Sequence, residues 1–281
     1  MRELLRKVAR WLYAALLPPR SRSSLRMLFV LEEPDRHPQL IASLPERRVL
    51  VLAPHVDDEV AGCGGAIRRH VLAGGEVTVV YLTDGRRGDP DLYRRGLSPA
   101  ETARAEVAQI AVRKQEAARS AEILGVRDLR FLDARDGELE PAPGIVGAVR
   151  EILRELRPDL VYLPSFMDLH ADHWATNRVF HAAISDRSFP RDRTWLVRGY
   201  EVWSPLVANR ILDIGEVIED KRRALEQFES QNAHIDYVRA LIGLNAYRSI
   251  YFLRGRGHAE AFFECTPQAY RSLFERLTGR R

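Results

Sequence analysis

Three short runs of almost unbroken apolar residues, each followed by a helical pattern, restrict this chain more than any other feature. Residues 48–54 read RVLVLAP, residues 76–82 read EVTVVYL and residues 159–164 read DLVYLP. A strand that is apolar at consecutive rather than alternate positions is buried on both faces, as in a parallel sheet covered by helices on each side. Helical spacing of apolar residues runs over 66–73, stopped by Gly74-Gly75, and over about 102–124, ended by Gly125. It recurs over 146–156, 174–184, about 217–229 and 235–247. Shorter strands are predicted over 129–132, 199–204 and 211–214. Strand–helix alternation with short connections gives right-handed crossovers, so the expected fold class is α/β: a Rossmann-like three-layer sandwich with a mostly parallel sheet. Ligands of such sheets sit beyond the carboxyl ends of the strands. Chemistry is therefore expected just after Pro54, Leu82 and Pro164.

Composition narrows the class without naming a function. Of 281 residues, 46% are hydrophobic and 29% charged, which excludes a disordered chain and a polytopic membrane protein. Lys and Arg exceed Asp and Glu by 43 to 39, an excess spread along the chain, so no nucleic-acid partner is expected. Cys63 and Cys265 are the only cysteines, too few for a disulfide framework, which favours a cytoplasmic location. The first 17 residues differ from the rest. Leu4, Leu5, Val8, Trp11, Leu12, Ala15 and Leu16 recur at helical spacing, with Arg2, Arg6, Lys7 and Arg10 largely elsewhere on the wheel. The longest apolar run there, residues 11–17, is too short to span a bilayer. Residues 1–24 are read as a basic amphipathic helix and linker. The helix would make peripheral contact with the inner face of a membrane, or dock on the domain or a partner. Residues 25–281 are read as one domain; the oligomeric state is left open.

Two polar clusters fall where the sheet predicts chemistry. His55-Val56-Asp57-Asp58-Glu59 follows the first strand. Three acids at the buried end of a strand are costly unless a cation neutralises them. The spacing of His55 and Asp58 lets a tight turn bring both to one ion, leaving Asp57 free to act on a water; the plain alternative is that Asp57 or Asp58 caps a helix. The glycines of Gly62-Cys63-Gly64-Gly65 are read as allowing the next helix close to the sheet. The second cluster, His170-Ala171-Asp172-His173, follows the strand at 159–164 after a loop containing Asp168. Two histidines flanking an acid, opposite the first cluster, make a metal-site constellation with further His and Asp left for a supporting shell.

The paired motifs resemble those of the LmbE/PIG-L family, zinc-dependent de-N-acetylases of N-acetylglucosamine-containing conjugates. The resemblance extends through Thr83-Asp84-Gly85, Arg113, Glu116, Leu124-Gly125, Glu201-Val202-Trp203, Asp213-Ile214, Lys221, Ala224-Leu225 and Ser230-Gln231, roughly residues 48–232. Val56 and Ala171 stand where prolines are usual, at positions that carry no ligand atom. The resemblance implies that His55, Asp58 and His173 bind Zn²⁺, a site that Fe²⁺ or another divalent ion can also occupy. It implies that Asp57 is the general base. His170, oriented by Asp172, would stabilise the oxyanion or protonate the leaving amine as a charged imidazole. The implied activity is removal of the N-acetyl group from an N-acetylglucosamine-type sugar on a larger conjugate, such as a glycolipid, lipid-linked glycan, pseudodisaccharide or glycosylated metabolite. The alternatives are a catalytically silent glycan-binding or assembly subunit, and a metal-dependent glycosyltransferase, which explains neither His170 nor His173.

Other residues carry two readings each. Arg113 reaches a substrate hydroxyl or phosphate, or pairs along its helix with Glu116 or Glu106. Asp84 binds sugar hydroxyls or shapes its turn. Trp203 is read as a core aromatic rather than a stacking platform, and Glu59 as a supporting residue rather than a ligand. Arg86, Arg87, Arg94 and Arg95 are read as a solvated basic loop.

Overall fold

The computed structural model describes residues 37–94, 96–186 and 194–279; the predicted N-terminal helix and the boundary after residue 24 lie outside them. Among these residues eight strands form one sheet: β1 (Gln39–Leu40), β2 (Arg48–Ala53), β3 (Glu76–Thr83), β4 (Asp128–Ala134), β5 (Leu160–Pro164), β6 (Leu196–Tyr200), β7 (Arg210–Asp213) and β8 (Ala259–Cys265). Their order is β1-β7-β8-β6-β5-β2-β3-β4. β8 runs antiparallel to β6 and β7, and all other neighbours are parallel. Neither β8 nor the helix α9 (Pro267–Thr278) stood out in the sequence pattern. Residues 38–266 form one compact unit, and α9 belongs to a second. No helix of the described residues is long and apolar enough to cross a membrane.

The continuous apolar runs became the central strands. Val49 to Ala53 of β2 and Leu160 to Leu163 of β5 are buried. From β2 the chain winds outward through β3 to β4, then crosses back to β5 on the other side of β2. The carboxyl ends of β2 and β5 therefore diverge into a crevice, the switch point at which doubly wound sheets bind ligands. The crossover helices are α1 (Asp58–Leu72), α2 (Pro99–Leu124), α3 (Pro143–Leu156) and α4 (Ala171–Ser185). α2 starts at Pro99, three residues before the periodicity suggests. A capping box between Ser98 and Glu101, with Pro at the first helical position, opens it, and Gly125 closes it at φ 81°.

α1 differs most from expectation. It begins at Asp58 rather than at residue 66, and it breaks at Cys63, where φ is −147°. The glycines that hid its first half from the sequence pattern have a packing reason. A Cβ on Gly62 would meet the Tyr200 ring at 2.2 Å, and one on Gly65 would meet Ile214 at 2.6 Å. A break frees backbone groups in the interior, and each must find a partner. The Glu260 carboxylate on β8 accepts from the amides of Gly65 and Ala66, both at 2.8 Å. Lys221, on α5 (Ile218–Glu226), donates to the Ala61 carbonyl at 3.0 Å and to Glu260 at 2.7 Å. Lys221 and Glu260 are both fully buried.

Lys221→Met removes one partner and leaves a buried carboxylate uncompensated. It is expected to destabilise the fold by about 3–5 kcal/mol, measurable as a shifted denaturation midpoint at unchanged m. A loss below about 1 kcal/mol, the scale of a single ordinary hydrogen bond, would show that the pair does not hold the break.

Candidate active site

The turn after β2 is strained at one residue. Asp57 has φ 123° and ψ −27°, a conformation L-residues avoid at a cost of about 1–3 kcal/mol. Its amide donates to Glu59 Oε2 at 3.1 Å, and Tyr81 from β3 donates to Glu59 Oε1 at 2.7 Å. Its carbonyl accepts from the amides of Val60 and Ala61. Asp57 thus stands at the N-cap of α1, yet its side chain makes no cap. The capping reading of the first cluster fails for Asp57, whose carboxylate lines the cavity beyond β2. Glu59, bonded to the Asp57 amide and to Tyr81, braces the strained turn.

Asp58 turns the other way. Its Oδ2 lies 3.0 Å from His55 Nδ1 and 3.1 Å from His173 Nε2. His55 Nε2 faces Asp172 Oδ2 at 3.1 Å and Asp136 Oδ1 at 3.3 Å. His173 Nδ1 lies 3.3 Å from Asp168 Oδ1. The outer nitrogen of each ring therefore faces carboxylates, which draw its proton outward. The inner nitrogens then present lone pairs to a third acceptor, Asp58 Oδ2. Asp58 Oδ2 also accepts from the His55 amide at 2.9 Å, and the remaining demand of the three acceptors is met by protons or by a cation. The His173 nitrogens are buried without a hydrogen bond of good geometry, as expected of a ligand rather than a network member. Around a tetrahedral zinc with bonds of about 2.0–2.1 Å, ligand atoms sit about 3.3 Å apart, close to the two spacings from Asp58 Oδ2 to His55 Nδ1 and His173 Nε2. The arrangement fits a divalent ion.

The ionisation pattern has the same cause. Burial alone would raise the Asp58 carboxyl, but His173 and His55 pull it well below the usual carboxylate range. Burial would lower His173, but Asp58 and Asp168 push it up to about 9. His55 is likewise raised against its burial, by Asp136, Asp172 and Asp58. Asp57 is pushed up to about 6, chiefly by burial and against the pull of Arg113.

His170 is placed differently from the expectation. It caps α4, its Nδ1 accepting from the Asp172 amide at 3.2 Å, so a neutral ring carries its proton on Nε2. Burial and the neighbouring His55 and His173 lower its pKa, which favours that neutral ring over the charged imidazole of the sequence reading. The Asp172 carboxylate does not orient His170. It bonds His55 and accepts from the amides of Gly137 and Leu139. The ring nitrogens of His55, His170 and His173 lie within 4.8 Å of one another, as do the ligand atoms of His55, Asp136 and Asp172.

Arg113 is buried, with Nη2 bonded to the Val56 carbonyl and 3.4 Å from Asp57 Oδ2. Its Nε and Nη1 are buried without partners. Pairing along the helix is excluded, because Glu116 accepts from Ser230 and Glu106 from Arg86 and Tyr93. Asp84 is not among the cavity-lining residues. Its carboxylate accepts from Arg86 and from the Asp136 amide, contacts that shape the turn. Arg86 is correspondingly tied down rather than solvated. Trp203 is a further correction: 48% exposed, it is no core residue. Its ring stacks toward His170 at 6.5 Å and meets Tyr237 edge-on at 5.9 Å. The cavity they enclose has a volume of about 370 Å³, with His55, Asp57, Asp58, Arg113 and His170 among its lining and Val202, Trp203, Phe228 and Tyr237 forming an apolar wall.

Comparison with known proteins gives the family. Residues 50–184 match the family described as PIG-L, GlcNAc-PI de-N-acetylase. The diacetylchitobiose deacetylase of Thermococcus kodakarensis is 32% identical over 198 residues, 66% of this chain and 70% of that protein. The chain belongs to the PIG-L family. Another relative of this PIG-L-family chain is a Bacillus anthracis protein named "Probable N-acetyl-alpha-D-glucosaminyl L-malate deacetylase 2", 30% identical, with 67% of this chain and 83% of that one covered. Among solved structures, the N,N'-diacetylchitobiose deacetylase of Pyrococcus horikoshii superposes with a TM-score of 0.66 at 25% identity, covering 80% of this chain and 86% of that one.

The supporting acids Asp136 and Asp168 escaped the sequence reading of roles, although Asp168 lies only two residues before His170. Asp168→Ala is expected to weaken divalent-metal affinity about 10–100-fold, read by competition with a chelator. Affinity equal to wild type would remove Asp168 from the support of His173.

Proposed function

We propose that this chain hydrolyses the acetamide of an N-acetylglucosamine-type sugar carried on a larger conjugate, using a divalent ion, zinc by preference, held by His55, Asp58 and His173. The observation that carries the reading is that His55 Nδ1 and His173 Nε2 both lie within 3.1 Å of Asp58 Oδ2, with the Asp57 carboxylate, paired with Arg113, lining the same cavity. Two imidazoles and one carboxylate form a donor set suited to Zn²⁺, and Fe²⁺ accepts the same ligands. Such an ion, when bound, supplies Lewis acidity, which acidifies water and polarises a carbonyl.

The residues of the chain supply the rest. Asp57, braced by Glu59 and unable to cap the helix, takes the proton of the attacking water. The water oxygen bonds to the carbonyl carbon, and the developing oxyanion receives a hydrogen bond from His170 Nε2–H. The C–N bond then breaks, the proton held by Asp57 passes to nitrogen, and acetate and a free amine leave. Arg113 keeps Asp57 oriented and retains two donors for a sugar hydroxyl or an anionic substituent. Trp203, half-exposed beside His170, offers a ring face to the sugar. Every group needed is present, which favours an active enzyme over a silent binding subunit.

Incubation with N,N'-diacetylchitobiose and other N-acetylglucosamine conjugates is expected to release acetate stoichiometrically with free amine. Asp57→Asn is expected to slow release about 10²–10⁴-fold with bound metal unchanged. Release at the wild-type rate by this variant would remove Asp57 as the base. No release from any conjugate by the metal-loaded wild type would overturn the hydrolase reading.

A further inference from the structure

The helices α7 (Tyr237–Arg248) and α8 (Ile250–Leu253) carry a surface that the catalytic reading leaves unused. Four large side chains project from it into solvent: Tyr247, Ile250, Tyr251 and Phe252, which are 59, 55, 51 and 40% exposed. Scattered exposed hydrophobics are ordinary, but here four fall within six residues of one another, a density that suits a contact surface. Charge within its own segment is of one sign, bounded by the exposed Asp236 and with Glu219 and Asp213 near His258. Residues 237–259 contain four arginines and neither Asp nor Glu. Arg248 is consumed internally, its guanidinium bonded to Glu201 and to the Leu206 carbonyl. Arg239, Arg254 and Arg256 are exposed, and no ion pair of theirs is found among the described residues.

We propose that this face docks on the surface of an anionic lipid bilayer. Tyrosine and phenylalanine side chains at the tip of a short helix suit the headgroup region, where an amphipathic ring keeps its polar end wet and buries its body. Arg254 and Arg256, two and four residues after Phe252, meet anionic headgroups, each contributing about 1 kcal/mol near such a surface, roughly fivefold in affinity. No acid within residues 237–259 opposes this contact, and the nearby Glu219 and Asp213 face the His258 end of the segment. A second copy of this chain would bring like charges together at the same patch, which disfavours it as the occupant.

The face also stands close to the cavity. Tyr237 and Leu241 of α7 line the wall, and Tyr247 follows ten residues after Tyr237, about 15 Å along the helix at 1.5 Å per residue. A docked chain would therefore hold the cavity near the headgroup layer, where an amino sugar carried on a lipid is presented. That last step rests on the deacetylase reading; the docking itself does not.

The test is co-sedimentation of the full chain with vesicles of phosphatidylcholine alone and of phosphatidylcholine mixed with phosphatidylglycerol, with light scattering to record oligomeric state. The wild type is expected to bind the mixed vesicles in a salt-sensitive way and the neutral ones weakly. Arg254→Glu with Arg256→Glu is expected to weaken binding about 25-fold or more, and Tyr251→Ser with Phe252→Ser by at least tenfold. Both pairs are expected to keep the wild-type melting temperature and acetate release from a soluble conjugate. Absence of wild-type binding overturns the proposal, as does binding by both variants equal to wild type, which would assign any affinity to another segment. Variants that lose an oligomer while keeping vesicle binding would instead make the face an interface between copies and also overturn it. The vesicle-binding readings do not depend on catalysis, so a catalytically silent chain that binds vesicles would sink the function and leave the docking intact.

Discussion

A single carboxylate, Asp58, faces two buried imidazoles whose far nitrogens are committed to other acids, and much of the molecule follows from keeping that arrangement in place. A charge there without compensation is costly in a low-dielectric interior. The raised pKa values of His55 and His173 and the depressed one of Asp58 are the protein's response when only protons are available. A divalent ion meets the same demand with one particle. The outer carboxylates Asp136, Asp172 and Asp168 fix which nitrogen of each ring looks inward, and such partners commonly tune affinity as strongly as they orient the ligand.

The fold places these groups by its topology and holds them by a broken helix. β2 and β5 are neighbours in space although β3 and β4 separate them in the chain, so the two motifs meet at the crevice between their ends. α1 must leave β2 sharply enough to turn Asp57 and Asp58 in different directions, and it must lie close against Tyr200. The strained φ at Asp57 and the glycines at positions 62 and 65 answer those needs. The Lys221–Glu260 pair then satisfies the backbone groups that the break at Cys63 exposes. Lys221 comes from far along the chain, so a family tract that looks unrelated to catalysis supports the catalytic turn.

The parts of this protein that were legible in the sequence are those set by local pattern. The buried strands read as continuous apolar runs, and the polar clusters beyond 48–54 and 159–164 come together at the candidate site. The failures are equally physical. Gly62, Gly64 and Gly65 erased the helical signal of α1, because close packing overrides propensity there. β8 alternates too little to be told from its surroundings, and its direction is a tertiary choice. Trp203 carried no sign of exposure, since an aromatic beside a strand is as often core. Asp136 and Asp168 are lone acids in loops, recognisable only once the histidine nitrogens they face are known. Arg113 and Glu116 are three apart on one helix and invited an ion pair; burial instead sends one to Asp57 and the other to Ser230.

Elemental mass spectrometry of the purified chain beside Asp58→Ala tests the central claim most directly. The convergence of His55, Asp58 and His173 predicts about one divalent ion per chain in the wild type after equilibration with zinc. It also predicts loss of that ion in the variant while the fold is retained. A wild type that remains metal-free in added zinc, or a variant that keeps the ion at the same occupancy, would contradict the account.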